Sequence, residues 1–117
     1  KKYVPSIISR ADLNVVHWEM SDLLRYGVSY NKLFEYLAAG RPVFSTVRTR
    51  YSILEKYGCG MDTEGFAPAE LAAGIDRMAA LPADERLHMG ENARAAAVDF
   101  DFAVLTKKLE KIMEECV

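Results

Sequence analysis

The chain has 117 residues, of which 50% are hydrophobic, 27% charged and 10% aromatic, a profile with enough apolar content for one packed domain and too much for intrinsic disorder. Lys and Arg number 15 against 17 Asp and Glu, a net charge of -2 that, without a long basic run, argues against a surface for duplex nucleic acid. No apolar stretch reaches the roughly 18 residues that span a bilayer. The 2 cysteines, Cys59 and Cys116, have no metal-ligand spacing and predict reduced thiols in a cytosolic protein rather than a zinc site or a disulfide framework. The opening at Lys1 without a Met reads as a fragment.

In chain order, residues 3–11 carry apolar side chains at 4, 7, 8 and 11 with Pro5 in the first turn, the spacing of a short amphipathic helix. Residues 13–18 cluster β-branched side chains and predict a short buried strand. Residues 19–28 have no clean period, a connection longer than usual and of the kind that often carries function. Ser29 is a good N-cap for a helix over 30–39 that stops at Gly40. Residues 42–47 predict a second buried strand, 51–57 a short helix closed by Gly58, and 59–61 a third, very short strand. From Pro68 the chain reads as helical, with Leu71, Ile75 and Met78 forming one stripe. Pro82 opens a helix to about 98, and Asp101 caps a last one carrying Phe102, Leu105, Leu109, Ile112 and Met113. Strand, helix, strand, helix, strand is an α/β signature with a parallel sheet. Three short strands before some fifty residues of helix make a lopsided domain, so further strands are expected N-terminal to this segment.

The chemistry concentrates in residues 26–43. Gly27, Val28 and Ser29 bring a glycine and a hydroxyl to a helix start, where free backbone N–H groups and the positive end of the dipole attract phosphate. Asn31, Lys32 and Glu35 share one helical face while Leu33, Phe34 and Leu37 can pack inward. Six helical residues cover about 9 Å, so a ligand with phosphates near Ser29 could offer a sugar hydroxyl to Glu35, the layout of a nucleotide site at the carboxyl edge of a parallel sheet. The same residues also read as an ordinary loop and cap, with Glu35 paired to Lys32 on a solvated face.

Val4-Pro5 before Ile7-Ile8 and Ala11-Asp12, the run Asn31-Lys32-Leu33-Phe34-Glu35-Tyr36, and Ala38-Ala39-Gly40-Arg41-Pro42-Val43 together resemble the C-terminal domain of group 1 glycosyltransferases of the GT-B fold, in the bacterial branch that builds surface polysaccharide. Met89-Gly90-Glu91-Asn92-Ala93-Arg94 and Phe100-Asp101-Phe102 look like that family's closing helices. The resemblance covers nearly the whole chain. It implies a Rossmann-like parallel sheet with flanking helices, the C-terminal part of the nucleotide-sugar-binding domain of a hexosyltransferase-type enzyme. Glu35 would accept hydrogen bonds from the donor ribose, backbone N–H groups around Val28 and Ser29 would meet the diphosphate, and Asn31 and Lys32 would lie near the same phosphates. Gly27 stands where the family often carries a further glutamate, so no catalytic residue is carried over.

The resemblance further implies a metal-independent reaction without a cofactor, retaining in most relatives. The donor would be a nucleotide-diphosphate sugar, a UDP-sugar foremost. The acceptor, a glycan or lipid-linked sugar, would be held by an N-terminal domain, and the full enzyme would work in the cytoplasm, with peripheral association at the inner face of the membrane. This chain alone is expected to be inactive. Two other readings stay open: a non-catalytic nucleotide-binding α/β module, and an oligomerising structural domain that pairs through a truncated sheet edge.

Weaker signals complete the sequence. His17, at a strand end, reads as a packed or bridged histidine with an alternative place facing the site, and His88 as a surface residue. Arg41, Arg48 and Arg50 form a basic cluster flanking the second strand, a solvated face or a sugar-phosphate contact. Met20, Met61, Met78, Met89 and Met113 read as gap-filling core, and Tyr3 as packing rather than a neighbour of the base. The last helix sets Lys107, Lys108 and Lys111 against Glu110, Glu114 and Glu115, a mixed charge that opposes binding to anionic lipid.

Overall fold

A computed structural model describes residues 1–19, 21–26 and 31–117. Its elements are α1 (Val4–Ile8), β1 (Asn14–Val16), a 3-10 turn (Asp22–Tyr26), α2 (Asn31–Ala38), β2 (Val43–Ser45), α3 (Ile53–Tyr57), β3 (Gly60–Asp62), α4 (Pro68–Ala80), α5 (Ala83–Asp99) and α6 (Phe102–Glu115). The strands form one parallel sheet in the order β1-β2-β3, and the chain is an α/β fold with flanking helices.

Three rungs cross the sheet: Asn14, Val43 and Gly60; Val15, Phe44 and Met61; Val16, Ser45 and Asp62. Because side chains alternate along a strand, the first and third rungs face one layer and the second faces the other. On the first face Val16 and Val43 join Leu33 and Leu37 of α2, Leu54 of α3, Cys59, and Ala93 and Ala96 of α5 in one core. On the second face Phe44, fully buried, lies under α4, where a Cβ on Gly74 would come within 2.6 Å of the Phe44 ring. Helices on both faces are what a parallel sheet needs to keep its apolar strands dry.

The glycines punctuate as expected. Gly40 (φ 69°) and Gly58 (φ 63°) both take the left-handed conformation that ends a helix. Ser52 caps α3 by accepting from Glu55 N–H at 3.1 Å, and Asp101 caps α6 by accepting from Ala103 N–H at 2.8 Å.

Several expectations need correction. The strands keep three residues each, because only there do β1, β2 and β3 align. The third runs over Gly60–Asp62 rather than from Cys59. On α4 the buried positions are Gly74 and Met78, while Ile75 is exposed, since the small residue rather than the branched one meets Phe44. Among the methionines Met78 is core, whereas Met113 is exposed. The apolar face of α1 is uncovered, with Tyr3 and Ile7 exposed, so Tyr3 does not pack. That helix is held instead by polar ties, Asn14 Nδ2 donating to the Ile8 carbonyl at 3.2 Å and Arg41 Nε to the Ser9 carbonyl at 2.8 Å.

Candidate functional site

In a parallel β-helix-β unit the helix starts where the preceding strand ends, which sets the amino end of α2 at the carboxyl edge of the sheet. Leu33, in the first turn of α2, lines a small cavity together with Val16 and Asp62, the last residues of β1 and β3, and Ser45, the last of β2. Leu33 and Leu37 are buried on the sheet, and Phe34 stacks in a tilted arrangement on Phe100 with centroids 5.1 Å apart. This inward face leaves Asn31, Lys32 and Glu35 on the exposed side of the helix.

Among the described residues neither Lys32 nor Glu35 makes an ion pair, so Glu35 is not engaged with Lys32 as the plainer reading of the sequence had it. Gly27, Val28 and Ser29, expected at the phosphate end, lie outside the described residues, as do Tyr30 and Met20.

Past the strand ends the edge carries more polar groups than the sequence suggested. The cavity, about 20 Å³ and so room for about one water molecule, is also lined by Thr49, Ser52, Ile53 and Leu54. Ser45 Oγ donates to the Val47 carbonyl at 2.8 Å and accepts from Val47 N–H at 3.2 Å, so its hydroxyl is spent on the turn. Asp62 is buried, and its Oδ2 has no hydrogen-bond partner among the described residues. Burial pushes its carboxyl above the usual aspartate range, Glu55 adds to that push, and the Ser52 hydroxyl and Arg48 oppose it. Asp62 was not singled out in the sequence, because a lone aspartate after a glycine-rich strand reads as a turn residue. Only the sheet register reveals it as the third member of the terminal rung. A wider groove of about 590 Å³, walled in part by Arg50, Tyr51, Lys56 and Phe100, shares Ser52 and Ile53 with this cavity.

His17 follows β1 directly. Its Nδ1 lies 3.0 Å from Thr46 Oγ1, which also accepts from the Trp18 N–H at 3.2 Å, and the imidazole is thereby held at the carboxyl edge on an exposed residue. The three arginines do not form one cluster. Arg41 sits at the amino end of β2, tied to Ser9. Arg48 lies past the opposite end of β2, 3.7 Å from Glu55, and Arg50 stands over the Tyr51 ring at 5.6 Å. A residue range that straddles a strand ends up on both edges of the sheet. His88 is exposed and 3.6 Å from Glu91 on the same helix.

Both cysteines are free; Cys59 is buried, its thiol pushed up to about 11 chiefly by that burial, and Cys116 is exposed. Among the described residues no His, Cys, Asp and Glu side chains gather into a group that could hold a metal ion, and no helix is long and apolar enough to cross a membrane. The chain matches no family model, no curated protein and no solved structure.

Proposed function

We propose that the chain is the donor-binding part of a GT-B glycosyltransferase, a Rossmann-like half that holds a nucleotide-diphosphate sugar for transfer to a glycan or lipid-linked acceptor in bacterial surface-polysaccharide synthesis. The observation that carries the reading is the exposed Asn31, Lys32 and Glu35 face of α2 at the carboxyl edge of a parallel sheet, with neither Lys32 nor Glu35 in an ion pair among the described residues. Ligands of open α/β sheets bind at that edge.

In this reading Glu35 accepts hydrogen bonds from the donor ribose. Lys32, Asn31 and the backbone N–H groups around Val28 and Ser29 hold the diphosphate and support the charge that develops on it as the glycosidic bond to the donor breaks. Gly27 supplies no acid or base. The acceptor-binding domain of such an enzyme is not among these 117 residues, so the chain alone binds donor without transferring sugar. A UDP-sugar is the favoured donor, and the intact enzyme would work in the cytoplasm at the inner face of the membrane.

The test is a titration of the isotope-labelled chain with UDP, UDP-glucose, GDP and ADP, followed by NMR. Amide shifts confined to residues 27–36, with one base preferred, are expected. A folded spectrum that none of the four nucleotides perturbs counts against the donor site.

A further inference from the structure

We infer that the small cavity at the carboxyl edge of the sheet is a binding site for one water molecule, held by the Asp62 carboxylate and the hydroxyls around it. The water fills the space that the first turn of α2 and the start of α3 leave over the terminal rung. The inference goes beyond the glycosyltransferase reading and does not rest on it.

Asp62 is 8% exposed, and its Oδ2 has no hydrogen-bond partner among the described residues. A buried carboxylate oxygen is costly unless something donates to it. The nearby groups of the chain are largely committed elsewhere. Ser45 directs its hydroxyl proton to the Val47 carbonyl at 2.8 Å, and Arg48 reaches Glu55 at 3.7 Å. The Ser52 hydroxyl, whose oxygen accepts from Glu55 N–H at 3.1 Å, gives its single proton to Asp62. An ionised carboxylate offers about four acceptor sites, so one such proton leaves most of them open.

The cavity supplies the place for a further donor. Its volume is about 20 Å³, above the ~10–15 Å³ that one water needs and below the room for a second. A buried water takes about three hydrogen bonds, and four polar side chains line this cavity: Ser45, Thr49, Ser52 and Asp62. The rest of the wall is apolar, Leu33 of α2 and Leu54 of α3 included, so the water is turned toward the polar side. A metal ion fits less well. The lining offers one carboxylate and hydroxyls, far from the near-octahedral oxygen shell that Mg²⁺ demands, and Arg48 already brings positive charge toward Asp62. One water replaces only part of the hydration that a carboxylate has in bulk solvent, so burial still pushes the Asp62 carboxyl above its usual range.

Oxygen-17 magnetic relaxation dispersion, which counts water molecules that tumble with the protein, tests the site on the chain and on two variants. Asp62→Leu puts an apolar branch where the carboxylate stood, and its dispersion amplitude should fall below that of the parent by about one water. Thr49→Val keeps the shape of a half-buried side chain while removing one polar partner, and should lower the amplitude or shorten the residence time. An amplitude equal in the parent and in a folded Asp62→Leu overturns the proposal. Where circular dichroism shows that Asp62→Leu does not fold, a Thr49→Val signal identical to that of the parent overturns it instead. Thermal midpoints in KCl, NaCl and choline chloride at equal ionic strength are expected to coincide. A midpoint raised by K⁺ or Na⁺ in the parent and not in Asp62→Asn would make the occupant a cation, which also overturns the proposal.

Discussion

Asn92 of α5 donates from Nδ2 to the carbonyl oxygen of Gly58 at 3.1 Å, closing the left-handed end of α3 from a neighbouring helix. Two residues earlier on α5, a Cβ at Gly90 would strike the carbonyl oxygen of Gly40, the left-handed residue after α2. The segment around 90–92 thus meets the C-terminal ends of both crossover helices. Its glycine and asparagine are explained by cap geometry, whatever ligand the sheet edge holds.

Asn92→Ala leaves the Gly58 carbonyl to water, and a hydrogen bond of this kind contributes about 0.5–1.5 kcal/mol net. For a domain of this size the thermal midpoint should fall by about 2–8 °C. Asn92→Asp keeps the shape but presents an acceptor to an acceptor, and should lose at least as much. Thermal melts of the three proteins check this; an unchanged midpoint for both variants removes Asn92 from the stability of α3.

Gly74→Ala tests the other face of the sheet. On a helix the change ordinarily stabilises by about 1 kcal/mol, yet here the new methyl would meet the ring of Phe44 at 2.6 Å, and Phe44 has no exposed surface into which to retreat. Overpacking of that kind costs about 1–3 kcal/mol, so urea denaturation should show net destabilisation. Gly74→Ala combined with Phe44→Leu should be less destabilised than the sum of the two single changes, because they share one space. Additive losses would mean that Gly74 and Phe44 do not compete for it.

The alternation of strand and helix was legible because apolar, partly β-branched runs and glycine stops coincide, as in residues 42–47 against Gly40. The helix ends at Gly40, Gly58, Pro82 and Asp101 were legible for the same reason: each is a local backbone or capping preference. Long-range relations were not. Nothing in the sequence says that Asp62 completes a rung with Val16 and Ser45, since that depends on strand register. The amphipathic patterns of α1 and α6 were read correctly as patterns, but a stripe does not name what covers it. In this chain Ile7 and Leu109 remain exposed.

For the candidate site, Glu35→Ala should leave stability within about 0.5 kcal/mol of the parent, as for other surface changes, because the side chain is exposed and without an ion pair among the described residues. Hydrogen bonds to a charged group contribute about 1.5–3 kcal/mol, so UDP-glucose affinity should drop by about 10- to 100-fold, with Glu35→Gln intermediate. Calorimetric titration of the parent and both variants decides it. Equal affinity across the three would sink the ribose assignment while leaving the fold untouched.

Asp62 makes stability depend on pH in a direction opposite to that of a salt-bridged aspartate. Its folded-state pKa lies above the ordinary 3.8, chiefly through burial. Between those two values the folded chain therefore binds more protons than the unfolded one, and stability falls as pH rises. The contribution is fully present below pH 3.8 and is lost as pH climbs through the raised pKa, because the ionised carboxylate must then sit in a cavity where Oδ2 has no partner among the described residues. Asp62→Asn keeps the shape without the charge. Urea denaturation of both proteins from about pH 3.5 to 7 should show the parent losing ground to the variant as pH rises past the ordinary aspartate value, and no further change once Asp62 is fully ionised. If the parent instead gains on the variant over that range, the Ser52 hydroxyl and Arg48, which oppose the upward shift, outweigh burial in solution.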